Sequence, residues 1–139
     1  MTTDIRQVDY FYCTVADQPG QAHELLARLA DQGVNLLALT MVPIGPLRTQ
    51  LTLFPSDQMD LLAAAEKAAL VLDGPHAAIL VRGDDRLGAL AEVHSKLSDA
   101  HVNVYASTGV TDGQGRYGYV LYIRPDELDR ARTALGLPG

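Results

Sequence analysis

The chain has 139 residues, of which hydrophobic types make up 47%, and its formal net charge is −6. That balance excludes a disordered chain. No run of Lys or Arg exceeds two residues, which disfavours nucleic acid and anionic membrane surfaces, both held by clustered cations. The single cysteine, Cys13, cannot form an internal disulfide, and no segment approaches the roughly 20 apolar residues that span a bilayer.

The amino terminus, MTTDIRQVDY, lacks a basic start followed by an apolar run, so no signal peptide is read there and the chain reads as cytoplasmic. Val8 to Val15 is rich in β-branched and aromatic side chains, which predicts a buried central strand with Cys13 as core filler. Asp17 ends that strand and is placed to cap a helix, with Pro19 in its first turn. Ala22, Leu25, Leu26 and Leu29 recur at helical spacing, and Gly33 stops the helix as a left-handed cap. A second strand runs from Val34 to about Val42, and Pro43-Ile44-Gly45-Pro46 turns the chain. Leu47 to Phe54 makes a third strand whose Gln50 and Thr52 predict a more polar face. Pro55-Ser56-Asp57 opens a second helix carried by Met59, Leu62, Ala65 and Ala69. Val71-Leu72 reads as a short closing strand and Asp73-Gly74-Pro75 as a linker.

The same grammar then returns. Tyr10 to Thr40 matches Ala78 to Thr108 at an offset of 68, so that Asp17 meets Asp85, Gly20 meets Gly88, and Val34-Asn35 meets Val102-Asn103. Leu87, Leu90, Val93, Leu97 and Ala100 form the second helical stripe. Val102 to Val110 and Tyr117 to Ile123 form a hairpin across Thr111-Asp112-Gly113-Gln114-Gly115, and a last helix runs from Arg124-Pro125-Asp126 to Gly136. Matching Pro55 to Pro125 raises the offset to 70 from the third strand onward, a gain of two residues in the second hairpin. A repeat of this length means two supersecondary units rather than a solenoid. The predicted fold class is therefore α+β: two ferredoxin-like βαββαβ units in tandem, residues 1–74 and 75–139, the second lacking its last strand. Units of about 70 residues usually need help to stay folded, so the halves share a core or pair further. Ala77 to Arg82 would then be an apolar sheet edge, covered by a segment such as Ala69 to Leu72 or by a second copy, which predicts a homodimer.

Two features point to a ligand. The strand-to-helix turns, Asp17-Gln18-Pro19-Gly20 and Asp85-Arg86-Leu87-Gly88, place unpaired backbone N–H groups where a carboxylate or phosphate could sit, and glycine lets it approach. Asn35 and Asn103, at the foot of the following strands, carry amides that both donate and accept, which suits the zwitterionic head of an amino acid. Helix capping and turn tying are the plainer readings of both features.

The pattern D-x-P-G, an amphipathic helix, then G-V-N-L on a strand, in β-α-β-β-α-β order, resembles the ACT domain. The resemblance covers nearly the whole chain as two tandem units. The first keeps Asp17, Pro19, Gly20 and Asn35; the second has Leu87 where the motif has proline. The resemblance implies a regulatory module that binds an amino acid or related effector, at the interface of paired units near the turn of one and the second strand of another. By residue this implies Asp17, Gln18, Pro19, Gly20 and Asn35 in the first unit, and Asp85, Gly88 and Asn103 in the second. It implies a possible partner enzyme or regulator, and neither cofactor nor metal.

Arg116-Tyr117-Gly118-Tyr119-Val120-Leu121-Tyr122 looks like the aromatic third-strand motif of RNA recognition domains. The first strand of that unit has no stacking aromatic and the protein is acidic, so ordinary sheet residues are the better reading. His23, His76, His94 and His101 read as surface histidines without metal-ligand spacing. No nucleophile elbow, P-loop, cysteine pair or dinucleotide fingerprint is present, so the chain reads as a non-catalytic sensor of a small molecule. A constitutive interaction subunit without a small ligand is the alternative, and a small enzyme the third.

Overall fold

A computed structural model describes residues 3–138. Six strands and four helices follow in order: β1 (Asp4–Ala16), α1 (Gln21–Asp31), β2 (Leu36–Pro43), β3 (Arg48–Pro55), α2 (Gln58–Ala68), β4 (Asp73–Asp84), α3 (Ala89–Asp99), β5 (Val104–Thr111), β6 (Arg116–Ile123) and α4 (Leu128–Ala134). A single 3₁₀ turn, Pro125–Glu127, leads into α4. The described residues divide into two compact units, 9–76 and 3–8 with 77–138. The division cuts β1 after Val8 and β4 after His76, so each of these strands contributes to both units. The sequence instead places a single break after residue 74.

In the first unit the strand order is β2-β3-β1-β4, with residues 9–16 of β1 and 73–76 of β4. Phe11 pairs with Leu53 and Cys13 with Leu51 across antiparallel β1 and β3. Those four side chains join Leu25, Leu29, Leu61 and Ala64 in one core. Phe11, Leu51 and Leu53 are wholly buried, each stabilising the unit by about 1.5–3 kcal/mol. Cys13 is buried there, which pushes its thiol pKa up, as expected of core filler. The buried face of α2 is Leu61, Ala64 and Ala65, while Met59 and Leu62 are exposed, so the helix is rotated from the predicted stripe. The more polar face of β3, with Gln50 and Thr52 opposite the core residues Leu51 and Leu53, is covered rather than open to solvent: Thr52 is buried between Tyr12 and Thr40, its register neighbours on either side. The predicted linker Asp73-Gly74-Pro75 is the start of β4, with a cis Gly74-Pro75 bond. Proline is tolerated at the first residues of a strand. There it supplies the closing strand expected at Val71-Leu72.

In the second unit the order is β1-β4-β6-β5, with residues 4–8 and 77–84 of the first two strands. Its core gathers Ile79, Val81, Val93, Leu97, Val102, Tyr119, Leu121, Ile123, Ala131 and Leu135, with Ile5 packed against it. Among the described residues, 75–138 hold no strand after α4, and β4 pairs with β1 rather than with the expected Ala69 to Leu72. Residues 4–8 occupy that place, and Asp4 reaches Arg82 at 2.9 Å. The segment Asp4-Ile5-Arg6-Gln7-Val8 carries only two apolar side chains, too few to read as part of an apolar strand.

The repeat is more regular than the sequence suggests. Helices α1 and α3, strands β2 and β5, and strands β3 and β6 all begin and end 68 residues apart. The irregularity between Leu36 and Ala38 recurs between Val104 and Ala106. The hairpins are equal in length, and the two-residue difference falls after β6, before the last helix. Matching Pro55 to Pro125 misplaced it.

Candidate functional site

Both strand-to-helix turns have one backbone design. Asp17 N donates to Leu47 O at 2.9 Å, and Asp85 N donates to Gly115 O at 2.8 Å. Gly20 and Gly88 are the N-cap residues, with φ of 88° and 83°, and no side chain caps α1 or α3. Asp17 therefore does not cap the helix, and Pro19 lies before it rather than in its first turn. The glycine is required by its left-handed backbone. The first helical N–H groups are left without side-chain acceptors.

In the second unit this turn opens on a groove of about 610 Å³. The turn supplies Asp85, Arg86, Leu87 and Gly88; α3 adds Leu90 and Ala91; and the β5–β6 hairpin adds Gly109, Val110, Thr111, Tyr117, Gly118 and Tyr119. Leu87, predicted as part of the buried stripe, is fully exposed at the rim. Arg86 is engaged by Glu92 at 2.5 Å, which raises the guanidinium pKa and lowers that of the carboxyl. Burial raises the Tyr117 pKa. The groove is thus largely apolar, with the Asp85 carboxylate and the start of α3 at one end.

Asn103 does not join this groove. It follows the carboxyl end of α3, whereas Gly88 precedes the amino end, and 11 residues of helix span about 16 Å. One small ligand head within a unit cannot touch both. Asn103 lines a separate groove of about 520 Å³ with His94, Ser98 and His101. Its backbone N donates to Glu127 Oε1 at 3.3 Å. In the first unit, Asn35 O accepts from Ser56 N at 2.8 Å. Asp17, Gln18, Pro19, Gly20 and Asn35 are all exposed. A first-unit cavity of about 460 Å³ is lined by other residues, among them Tyr12, Gln50 and Asp73.

Sequence reasoning missed His94, Ser107, Gly109 and Tyr119. His94 is no free surface histidine: its Nε2 lies 2.7 Å from the Tyr119 hydroxyl, which also contacts Ser107 Oγ at 2.9 Å. Tyr119 is buried, so it cannot stack on a base as an RNA-binding strand would require. Comparing the two repeats position by position would have exposed these residues. Among the described residues no group of three His, Cys, Asp or Glu could hold a metal ion.

No protein-family model matches the chain, and no curated protein sequence matches it. Solved structures do resemble it. Protein BT0572 from Bacteroides thetaiotaomicron superposes with a TM-score of 0.80 at 19% identity, over 95% of this chain and 88% of that one. The ligand-free regulatory subunit of aspartate kinase from Thermus thermophilus superposes with a TM-score of 0.62 at 17% identity, over 96% and 94%. The corresponding subunit from Thermus flavus gives 0.56 at 15%, over 97% and 94%. The chain shares the fold of these structures, two βαββαβ units in tandem. Within it the second unit is completed by residues 4–8, and its turn, which carries Leu87 where the first has Pro19, lines the apolar groove.

Proposed function

We propose that the chain is a non-catalytic regulatory protein whose second ACT unit binds a small zwitterion, an amino acid or close relative. One observation carries this reading: the groove of about 610 Å³ at Asp85–Gly88. It lies within the roughly 300–1,000 Å³ typical of small-ligand sites. The uncapped start of α3 suits a carboxylate, the Asp85 side chain suits an ammonium group, and the apolar walls suit the rest of the ligand. The turn of the first unit, Asp17 to Gly20, with Asn35, and likewise Asn103, belong to the proposal as secondary positions. Similarity in fold to aspartate kinase regulatory subunits supports a regulatory role. A ligand that prefers one arrangement of the protein shifts its population, and a partner enzyme or regulator reads the shift.

A homodimer in the cytoplasm is part of the same proposal, although its first argument has gone, because residues 4–8 cover the edge of β4. Support now comes from β2 and β5, which end the strand orders of the two units. They expose Met41 and Val42, and Tyr105 and Val110. Those same side chains favour the second reading, an interaction subunit that binds nothing small. Among the described residues no helix is long and apolar enough to cross a membrane.

A thermal-shift screen against the common amino acids separates the two readings. Ligand at 100 times its Kd adds about 2.7 kcal/mol. A flat response across the set overturns the sensor and leaves the interaction subunit.

A further inference from the structure

The constant 68-residue register sets each groove residue of the second unit beside its counterpart in the first. Four neighbouring positions differ together. His94, Ser107, Gly109 and Tyr119 stand where the first unit has Leu26, Leu39, Met41 and Leu51. These four form one structural object. Gly109 and Tyr119 are register partners across β5 and β6. A β-carbon on residue 109 would lie 2.9 Å from Tyr119 Cδ1, so the ring keeps its place only over glycine. Its hydroxyl is held between His94 Nε2 and Ser107 Oγ. One donor and an acceptor position of the phenol are thereby used inside the protein. What remains for the groove is the ring.

The first unit needs no polar group at these positions: Leu51 is wholly buried there and Leu26 packs against the same core. A buried phenol costs free energy unless it is paired. The second unit has built that pairing and opened the sheet wall beside it. Gly109 replaces Met41 and Gly118 replaces Gln50, and both glycines line the groove. The chemistry of this floor matches Leu87, Leu90 and Val110 around it.

We propose that Tyr119, seated on Gly109 and tethered by His94 and Ser107, is the specificity-determining residue of the groove, and that it selects an amino acid with an apolar side chain. The inference rests on reading the groove as an amino-acid site. It also assigns binding to the second unit, because Met41 and Gln50 replace both glycines in the first.

Isothermal titration of the full chain with L-leucine, L-phenylalanine, L-serine and L-aspartate tests this, in the wild type and in Gly109→Ala, Tyr119→Phe and Met41→Ala. The expected result is that leucine or phenylalanine binds the wild type at least about tenfold more tightly than serine or aspartate. Gly109→Ala then loses about tenfold or more, Tyr119→Phe loses affinity with its ring retained, and Met41→Ala is unchanged. Circular dichroism checks the fold of each. If none of the four binds the wild type, the amino-acid reading fails and this inference with it. Binding without apolar preference, or unchanged in a folded Gly109→Ala, overturns this inference and leaves that reading standing. Should Gly109→Ala unfold, unchanged affinity in Tyr119→Phe overturns it.

Discussion

Asp4 Oδ2 lies 2.9 Å from Arg82 Nη2, a contact that joins residues 78 positions apart and marks where the amino-terminal strand completes the second unit. Arg132 Nη1 reaches Gln7 Oε1 at 2.8 Å on the same segment. The pairing of residues 4–8 with β4, more than either polar contact, keeps the apolar strand Ala78-Ile79-Leu80-Val81 from ending in an open edge.

Deleting residues 1–8 should therefore be far more damaging than Asp4→Ala. Both partners of the ion pair are about half exposed, and such pairs contribute about 0–1 kcal/mol. The point substitution is expected to leave the thermal midpoint nearly unchanged. The deletion is expected to aggregate or to form assemblies larger than those of the wild type in sedimentation velocity, as an uncovered edge does. A deletion variant with the assembly state and stability of the wild type would show that this strand protects nothing.

The aspartates before α1 and α2 differ in kind. Asp57 Oδ1 accepts from Met59 N at 2.8 Å, whereas Asp17 caps nothing. Asp57→Ala should cost about 1 kcal/mol in urea unfolding, within the usual range for a lost N-cap. Asp17→Ala should cost less than half of that. Equal losses would contradict the cap assignment.

Ala69 ends α2 with φ of 54°, a left-handed conformation that its β-carbon disfavours. Replacing it by glycine should raise stability by about 1 kcal/mol, and the gain appears as a higher Tm. A lower Tm for Ala69→Gly would mean that the entropy of the unfolded glycine outweighs the relieved strain.

The carboxylate of Asp112 accepts from Gln114 N at 2.7 Å and Arg116 N at 3.1 Å, and these bonds hold its pKa below the ordinary aspartate range. A depressed folded-state value makes the contribution fully present above the unfolded pKa and lost as pH falls through the folded one. The Tm difference between wild type and Asp112→Asn should therefore shrink on acidification through that window. A difference independent of pH would separate the hairpin's stability from this carboxylate.

A tandem of two βαββαβ units was legible in the sequence because backbone punctuation is local. Gly20 and Gly88 must be glycine at φ near 85°, and the Val-Asn pairs mark the return of each chain from helix to strand. Apolar spacing located the cores around Leu25 and Leu29 and around Val93 and Leu97 for the same reason. The sequence alone could not tell that residues 4–8 finish the other half of the chain, since five mostly polar residues acquire their partner only across 78 positions. Nor could it join His94, Ser107, Gly109 and Tyr119, which lie on three different elements and meet only when α3 packs on β5 and β6. Local rules determine which elements form. Contacts between residues far apart in sequence decide where an edge is covered and which turn opens a groove.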